Sequence, residues 1–238
     1  MRRRRPVVAI DGPAGAGKTT VTRKVAERLG YLVVDTGALY RCVALCAKQR
    51  AVSWDDAEGV SAVAAQLADT RAIEFRSDPA RGQRVLLDGE DVSEAIRTQD
   101  ISEGASKVSA IAGVRDALLQ MQRSAGEAGG VVLEGRDIGT VVFPDADAKF
   151  YLTADVGVRA VRRYEELRRR GLSANLDTVR EEVAARDRRD TLRPVAPLRQ
   201  ATDAVRVDTS TLDIEQVVER IVTEVHAVER SLGERVDS

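Results

Sequence analysis

The pattern of apolar and polar positions predicts short buried strands that alternate with amphipathic helices. The strand-like runs are PVVAID near the start, then YLVVD, GVVLEG, AKFYLTA and AVRVDTS. Helical spacing marks the segments VTRKVAERLG, TGALYRCVALCAKQR, SEGASKVSAIAG, VRDALLQMQRSAGEAG, GVRAVRRYEELRRRG, DTVREEVAARDRRD and TLDIEQVVERIVTEVHAVERSL. Strands that alternate with helices favour a parallel sheet wrapped by helices.

A different pattern interrupts this alternation in the first half of the chain. The runs AIEFRS and QRVLLDGE have the composition of strands, and the turn-forming stretch DPARG separates them. Two strands joined by so short a segment predict an antiparallel hairpin, which would be a small sheet inserted among helices. The preceding segment SWDDAEGVSAVAAQLADT is predicted to be a helix with Ser53 as its N-cap.

The composition allows one domain with an aliphatic core. The chain has 238 residues, of which 43% are hydrophobic and only 3% aromatic. Charged residues make up 32%, but the net charge is −1, so no nucleic-acid partner is indicated. No apolar run is long enough to span a bilayer, and the start MRRRRPVVAID reads as a basic tail and not as a signal peptide. We expect a cytoplasmic, reduced protein without a membrane partner, and a monomer.

The cysteines and the histidine do not point to chemistry. Cys42 and Cys46 lie four residues apart, which suits one face of a helix better than a redox pair. His226 is the single histidine, and a zinc site would need more ligands than the chain offers. We interpret all three as ordinary helix residues.

The stretch GPAGAGKTT, which begins at Gly12, carries the most specific motif. It matches the phosphate-binding pattern GxxxxGK[ST] and lies between a predicted strand and a predicted helix, as that motif requires. Its glycines let backbone N–H groups surround phosphate oxygens, Lys18 can reach the β- and γ-phosphates, and the Thr19 hydroxyl can bind Mg²⁺. The predicted triphosphate-binding residues are Gly12, Pro13, Ala14, Gly15, Ala16, Gly17, Lys18, Thr19 and Thr20.

This motif leaves several classes of nucleotide-binding protein open. A GTPase would normally carry NKxD for guanine, and the one asparagine, Asn175, stands in no such motif. An ATPase motor would usually need a longer chain. A small-molecule kinase is therefore the leading class.

The segment from Arg159 to Arg193 is rich in arginine. It contains eleven arginines, no lysine and seven acidic residues, a local charge of +4. Arginine binds phosphate bidentately and keeps its charge when desolvated, so the segment can form a flap over the phosphate loop. The arginines at 168–170 are interpreted as a solvated face, and Pro194 and Pro197 end the last helix.

Two further motifs follow predicted strands. DTGALYR begins at Asp35 and EGRDIGT at Glu134, and both lie at carboxyl ends of strands, where open α/β sheets bind ligands. With the phosphate loop and RDRRDTLR, they resemble the bacterial cytidylate kinases, a family of P-loop nucleoside monophosphate kinases. The resemblance extends over nearly the whole chain, through LDGEDVSEAIRTQ, SKVSAIAGVR, LEGRDIGTVVFPDA and VDTSTLDIEQV.

The resemblance implies an α/β P-loop fold of three layers. A parallel sheet wrapped by helices would form the core, with a monophosphate-binding region that contains a small antiparallel insert, and a helical lid. In a single domain, 1–238, the core would be 6–35, 130–154 and 199–232, the monophosphate-binding region 36–129 and the lid 155–198. The implied reaction is transfer of the γ-phosphoryl group of ATP to CMP or dCMP, with Mg²⁺ as cofactor.

The resemblance also implies roles for residues at matching positions. The implied catalytic residues are Lys18, Arg136 and Arg186, with Arg186 bridging the donor and acceptor phosphates. The implied CMP-binding residues are Arg41 and Arg136 for the phosphate, Thr36 and Asp190 for the ribose, Ser106, Arg115 and Asp137 for cytosine, and Tyr40, Arg186 and Arg193 nearby. Thr19 and Glu134 would hold Mg²⁺, Glu134 through water. Arg159 and Arg163 would belong to the lid.

Several alternatives remain open at this point. Thr36 stands where serine is common and Glu134 where aspartate also occurs, which affects sugar preference and metal distance. Tyr40 could instead be a core residue, and the two lid arginines could be surface residues. The enzyme could be another small P-loop kinase that acts on UMP or a non-nucleotide acceptor, or the chain could be a nucleotide-dependent binding module. No general base is expected, because the acceptor phosphate is already ionised.

Overall fold

A computed structural model describes residues 5–78 and 82–236. The first residues of the basic tail, 1–4, and Pro79, Ala80 and Arg81 of the predicted hairpin turn lie outside the described residues. The strands are β1 (Val7–Asp11), β2 (Leu32–Asp35), β3 (Ile73–Asp78), β4 (Gly82–Leu87), β5 (Glu90–Asp91), β6 (Val131–Gly135), β7 (Ala148–Thr153) and β8 (Val205–Asp208). The helices are α1 (Lys18–Leu29), α2 (Thr36–Gln49), α3 (Ala57–Asp69), α4 (Gln99–Val108), α5 (Ala112–Gly126), α6 (Val156–Arg169), α7 (Leu176–Leu192) and α8 (Ile214–Val236).

The chain divides into two compact units. Unit 1 comprises Met1–Val33 and Gly126–Ser238, and unit 2 comprises Val34–Ala125. The larger sheet has the strand order β2-β6-β1-β7-β8, and β1 pairs in parallel with both β6 and β7. The α/β fold with a parallel sheet is thus confirmed.

The core of unit 1 lies on the central strands of this sheet. Every residue of β1 is buried, and Phe150 and Leu152 of β7 are at most 2% exposed. The apolar faces of α1 and α8 pack against the strands through residues such as Val25 and Ile221. Strands covered by helices in this way read as nearly continuous apolar runs, which is why the sequence pattern predicted them well.

Unit 2 is built from helices and the small antiparallel sheet β3-β4-β5. The predicted hairpin is confirmed, since Ile73 pairs with Leu87 and Asp78 with Gly82. The predicted N-cap Ser53 is wrong: α3 starts at Ala57, and the Asp56 side chain caps it by accepting the Gly59 N–H at 3.0 Å. Asp56 and Ser53 are both good caps, so the sequence could not decide between them.

The segment predicted as one helix, SEGASKVSAIAG, is broken in the structure. Its first part belongs to α4, which ends at Val108, and α5 begins only at Ala112. Cys42 and Cys46 lie buried on one helix, as predicted, and neither forms a disulfide. No helix within the described ranges is long and apolar enough to cross a membrane.

The arginine-rich segment of unit 1 forms α6 and α7. Leu167 of α6 packs on Val179 and Val183 of α7, so the two helices share a small apolar cluster. Asp155 caps α6 and Asn175 caps α7, each by accepting two backbone N–H groups. α7 ends at Leu192, before Pro194, as predicted.

Candidate functional site

The phosphate loop connects β1 to α1. Gly12 has φ of 150°, and a Cβ at this position would lie 2.0 Å from the backbone oxygen of Leu152. Gly17 has φ of 87° and precedes α1 without a side-chain cap, so the first N–H groups of that helix are not used by a capping side chain. Only glycine fits the close approach at Gly12, and the helix N-terminus favours an anion.

Lys18 is buried in the concave side of this loop. It is 7% exposed, and its Nζ donates hydrogen bonds of 2.8 Å to the backbone oxygens of Gly12 and Pro13. Burial, together with the nearby positive charge of Arg136, lowers the pKa of Lys18 to about 7, and the Glu134 carboxylate opposes this shift. An anion placed beside Lys18 would favour its charged form.

Thr19 and Glu134 supply oxygen atoms next to the loop. The Thr19 hydroxyl donates to Oε2 of Glu134 at 3.0 Å, and Glu134 is 4% exposed at the end of β6. Mg²⁺ in nucleotide sites is held by oxygen ligands from one or two side chains, from phosphates and from water. A hydroxyl and a carboxylate in contact fit that donor set, so these two residues suit magnesium.

Arg136 and Asp190 form a partly buried ion pair in unit 1. Arg136 Nε donates to Asp190 Oδ2 at 2.8 Å, and Asp190 is 3% exposed. Burial would raise the pKa of Asp190, but the charges of Arg136 and Arg186 outweigh it and hold the pKa below its usual value. The positive charge of Arg186 also contributes to lowering the pKa of Lys18. The three predicted catalytic residues are therefore electrostatically linked, since the charges of Arg136 and Arg186 both affect the pKa of Lys18.

Asp137 and Arg193 form a second buried pair. Arg193 Nη2 donates to Asp137 Oδ1 at 3.3 Å, and both side chains are less than 10% exposed. Arg193 Nε donates to the backbone oxygen of Ala196 at 2.6 Å, which ties the arginine to the turn after α7. The structure thus brings Arg193, which lies three residues after Asp190, to Asp137, which is 56 residues earlier in the sequence.

Arg159 holds α6 against the phosphate loop. Its Nη1 donates to the backbone oxygen of Ala14 at 3.1 Å, and its two Nη atoms contact the Asp187 carboxylate at 3.0 and 2.6 Å. The other predicted lid residue, Arg163, is half-buried and pairs with Glu166 on its own helix. Arg188 and Arg189 are exposed. The lid roles of Arg159 and Arg163 stay predictions.

In unit 2, Asp35 joins β2 to α2 and orients Arg41. One oxygen of Asp35 accepts the Ala38 N–H at 3.2 Å and caps α2, and the other accepts from Arg41 Nη2 at 2.6 Å. The Arg41 Nε is buried and has no hydrogen-bond partner among the described residues. A partly buried guanidinium with a donor to spare is suited to an anionic ligand. Thr36, the first residue of α2, is 2% exposed.

Tyr40 and Arg115 also meet in unit 2. The Arg115 guanidinium lies 5.5 Å from the centre of the Tyr40 ring, and the tyrosine hydroxyl accepts a hydrogen bond from Gln122 at 3.3 Å. Arg115 Nη1 donates to the Ser109 oxygen at 3.3 Å, and the Ser109 hydroxyl donates to the Ser106 backbone oxygen at 3.0 Å. Ser106, Arg115 and Tyr40 are therefore one cluster, and Tyr40 also belongs to the core of unit 2.

Four residues in these networks were not singled out from the sequence. Asp11 holds the turn after β6, Asp187 holds Arg159, and Asp35 holds Arg41. Thr209 donates to the Ala16 oxygen at 3.2 Å and accepts from Arg162 at 3.0 Å. Three of the four are aspartates next to a quoted motif or within one, which is the signal that could have identified them.

Comparisons with known proteins show which proteins the chain is similar to. The family model described as cytidylate kinase matches residues 8–227. A cytidylate kinase of Syntrophotalea carbinolica is 51% identical over 219 residues, 92% of this chain and 91% of that protein. A cytidylate kinase of Geobacter sp. (strain M21) is 50% identical over 230 residues, 97% of this chain and 94% of that protein. A gluconokinase structure from Sinorhizobium meliloti 1021 aligns with 98% of this chain and 99% of its own, at 14% identity and a TM-score of 0.48, and says nothing about substrate.

Proposed function

Since the chain belongs to the cytidylate kinase family, we propose that it transfers the γ-phosphoryl group of ATP to CMP or dCMP. The products are ADP and the corresponding diphosphate. The observation that carries this proposal is the phosphate loop with the Lys18 side chain buried in it, where the charges of Arg136 and Arg186 also act on Lys18. Phosphoryl transfer depends on positioning and on neutralising charge, and these residues supply that charge.

The donor is assigned to the phosphate loop. In this proposal Lys18 exchanges its bonds to Gly12 and Pro13 for the β- and γ-phosphates of ATP. The phosphate charge opposes the effect of burial and keeps the lysine protonated during transfer. Thr19 and Glu134 would hold Mg²⁺, which when bound neutralises phosphate charge and orients the β- and γ-oxygens.

The acceptor phosphate is assigned to Arg41 and Arg136. Each arginine is oriented by one aspartate, Asp35 or Asp190, which leaves other N–H groups of the guanidinium for phosphate oxygens. Arg186 would contact both the transferred group and the acceptor phosphate. Thr36 and Asp190 would bind the ribose hydroxyls.

The cytosine base is assigned to Ser106, Arg115 and Asp137, with Tyr40 beside it and Arg193 supporting Asp137. The exocyclic amine of cytosine can donate to a carboxylate, whereas uracil presents a carbonyl oxygen that the carboxylate repels. A lost contact of this kind costs about 1–3 kcal/mol, by analogy with bidentate base readout. CMP should therefore be preferred over UMP.

An acceptor panel tests this proposal. Initial rates of ADP formation would be measured with ATP, Mg²⁺ and, in turn, CMP, dCMP, UMP, AMP or shikimate. We expect CMP or dCMP to give the highest kcat/KM. We also expect Asp137→Ala to lower the ratio of kcat/KM for CMP to kcat/KM for UMP. Clear turnover of another acceptor with little on CMP would identify a different small P-loop kinase. Binding of ATP and CMP without ADP formation would identify a binding module.

A further inference from the structure

Asp11, the last residue of β1, contacts a distant turn through both oxygens of its carboxylate. Oδ1 accepts the Ile138 N–H and Oδ2 accepts the Gly139 N–H, each at 2.8 Å. The side chain is 5% exposed. Ile138 and Gly139 open a π-helical turn, Ile138–Val142, that directly follows Arg136 and Asp137. One carboxylate therefore links the strand that leads into the phosphate loop with the turn that follows two predicted acceptor-binding residues.

The contact replaces the cap that Asp137 would ordinarily provide. An aspartate that precedes a helical turn usually accepts the first N–H groups of that turn. Asp137 holds this position but makes no side-chain cap, and its Oδ1 instead accepts from Arg193. Because Asp11 binds the turn's N–H groups from another strand, the carboxylate of Asp137 does not serve as the cap and contacts Arg193.

We propose that Asp11 is a positioning residue of the kinase reaction: by capping the turn in place of Asp137, it fixes Arg136 and Asp137 relative to the phosphate loop. The inference rests on the proposed function, because it concerns how the acceptor is oriented. It adds a residue whose effect on CMP is exerted through Asp137 and Arg136 and not by contact with the nucleotide.

The surroundings of Asp11 support a role that a neutral residue could not fill as well. A buried carboxylate costs stability, and burial raises the pKa of Asp11 to about 6, with the Asp137 charge adding to the rise. Ionised carboxylates bind N–H groups about twice as strongly as neutral acceptors do, which compensates part of that cost. Gly139 is tightly surrounded, since a Cβ there would lie 3.2 Å from Lys149 Cδ and 3.5 Å from Asp11 Oδ2.

The same strand offers a matched control at its opposite end. Asp147 Oδ2 accepts the N–H of Val7, the first residue of β1, at 2.8 Å. Asp147→Asn and Asp11→Asn therefore each neutralise a carboxylate that accepts backbone N–H groups, one at each end of the same strand. Only the Asp11 end adjoins the phosphate loop.

The test combines kinetics with amide hydrogen exchange in the complete chain. For Asp11→Asn we expect faster exchange of the Ile138 and Gly139 amides. The KM for CMP should rise about tenfold, and the ratio of kcat/KM for CMP to that for UMP should fall about tenfold. The KM for ATP should change less than twofold. Asn keeps only one acceptor oxygen, so one N–H loses its partner. Asp147→Asn should leave all of these values unchanged.

Three results would overturn the proposal. The first is an unchanged exchange rate of the Ile138 and Gly139 amides in Asp11→Asn. The second is faster amide exchange in Asp11→Asn with the kinetic constants of the wild type. The third is a change in the kinetic constants of Asp147→Asn as large as that in Asp11→Asn. If Asp11→Asn does not fold, Asp11→Glu keeps both acceptor oxygens and the charge but moves them by one methylene, and it should lower the ratio of kcat/KM for CMP to that for UMP in the same direction. If the wild-type protein does not phosphorylate CMP, the proposed function fails, whereas the exchange comparison still decides whether Asp11 holds the turn.

Discussion

The two units differ in how many charged side chains they bury. Among the residues that the structure describes, unit 2 buries one charged side chain, Arg115, below 10% exposure. Unit 1 buries Asp11, Lys18, Glu134, Asp137, Lys149, Arg159, Asp190 and Arg193 to the same degree. Burying a charge is costly unless it is paired, so such a concentration marks the region where charge is used.

The two units therefore differ in the interactions on which they depend. Unit 2 depends on aliphatic side chains packed around α2, and its two charged ligand candidates are Arg41 and Arg115. Unit 1 places ion pairs around a loop whose backbone is already shaped for phosphate. We expect changes in unit 1 to affect chemistry first, and changes in the core of unit 2 to affect stability first.

The largest expected effect is the loss of Lys18. Lys18→Met removes the positive charge from the phosphate loop and should lower kcat by at least about a thousandfold, in the range typical for groups that stabilise transition-state charge. Steady-state ADP formation with CMP measures it. Lys24→Met is the control, since Lys24 lies on the same helix, pairs with Glu215 and is exposed. Similar losses in both variants would contradict the role of Lys18.

A stability change comes next and concerns unit 2. A Cβ at Gly104 would lie 2.5 Å from Cε2 of the Trp54 ring, whose Nε1 is held by the Ala44 oxygen at 2.9 Å. Gly104→Ala should therefore lower the free energy of unfolding by about 2 kcal/mol, as overpacking does elsewhere. Urea unfolding followed by the fluorescence of Trp54, the only tryptophan, measures this.

Gly233 provides the matched glycine. It lies in α8, and a methyl group added there would meet none of the described atoms beyond its own helix backbone and chain neighbours within 4 Å, so Gly233→Ala should raise the free energy of unfolding by roughly 0.5–1 kcal/mol. If Gly104→Ala were as stable as the wild type, α4 would not pack on Trp54 as closely as described.

The smallest expected effect separates two roles of the Asp35 side chain, its negative charge beside Arg41 and its capping of α2. Asp35→Asn keeps an oxygen for the Ala38 N–H but removes the negative charge beside Arg41, so the acceptor phosphate should bind more tightly. We expect the KM for CMP to fall about threefold, roughly 0.6 kcal/mol, with the KM for ATP unchanged. Asp56→Asn, which alters only the cap of α3, should change neither. A higher KM for CMP in Asp35→Asn would show that the carboxylate orients Arg41 more than it competes with phosphate.

The sequence predicted those elements that are determined by residues close together in the chain. The phosphate loop, the buried strands and the hairpin follow from glycine positions and from apolar periodicity. Capping was less certain, since the predicted cap of α3 was Ser53, whereas Asp56 caps the helix in the structure. The break between α4 and α5 has no proline or glycine to mark it.

The pairing of charges could not be predicted. Asp11 and Gly139 are separated by 128 residues, and Arg136 and Asp190 by 54. Which aspartate meets which backbone amide or arginine is decided by strand order and by the path of α7, which local patterns do not specify. The resemblance to a family named Arg136, Asp137 and Asp190, but not the aspartates that hold other ligand candidates in place.

Separate binding of donor and acceptor tests the central claim most directly. Titration calorimetry would measure CMP and a non-hydrolysable ATP analogue with Mg²⁺ against the wild type, Lys18→Met and Arg41→Gln. We predict that Lys18→Met loses affinity for the ATP analogue and binds CMP as the wild type does. Arg41→Gln should lose affinity for CMP and bind the ATP analogue as the wild type does. Loss of both ligands in either variant, or of neither, would contradict the assignment of Lys18 to the donor and Arg41 to the acceptor.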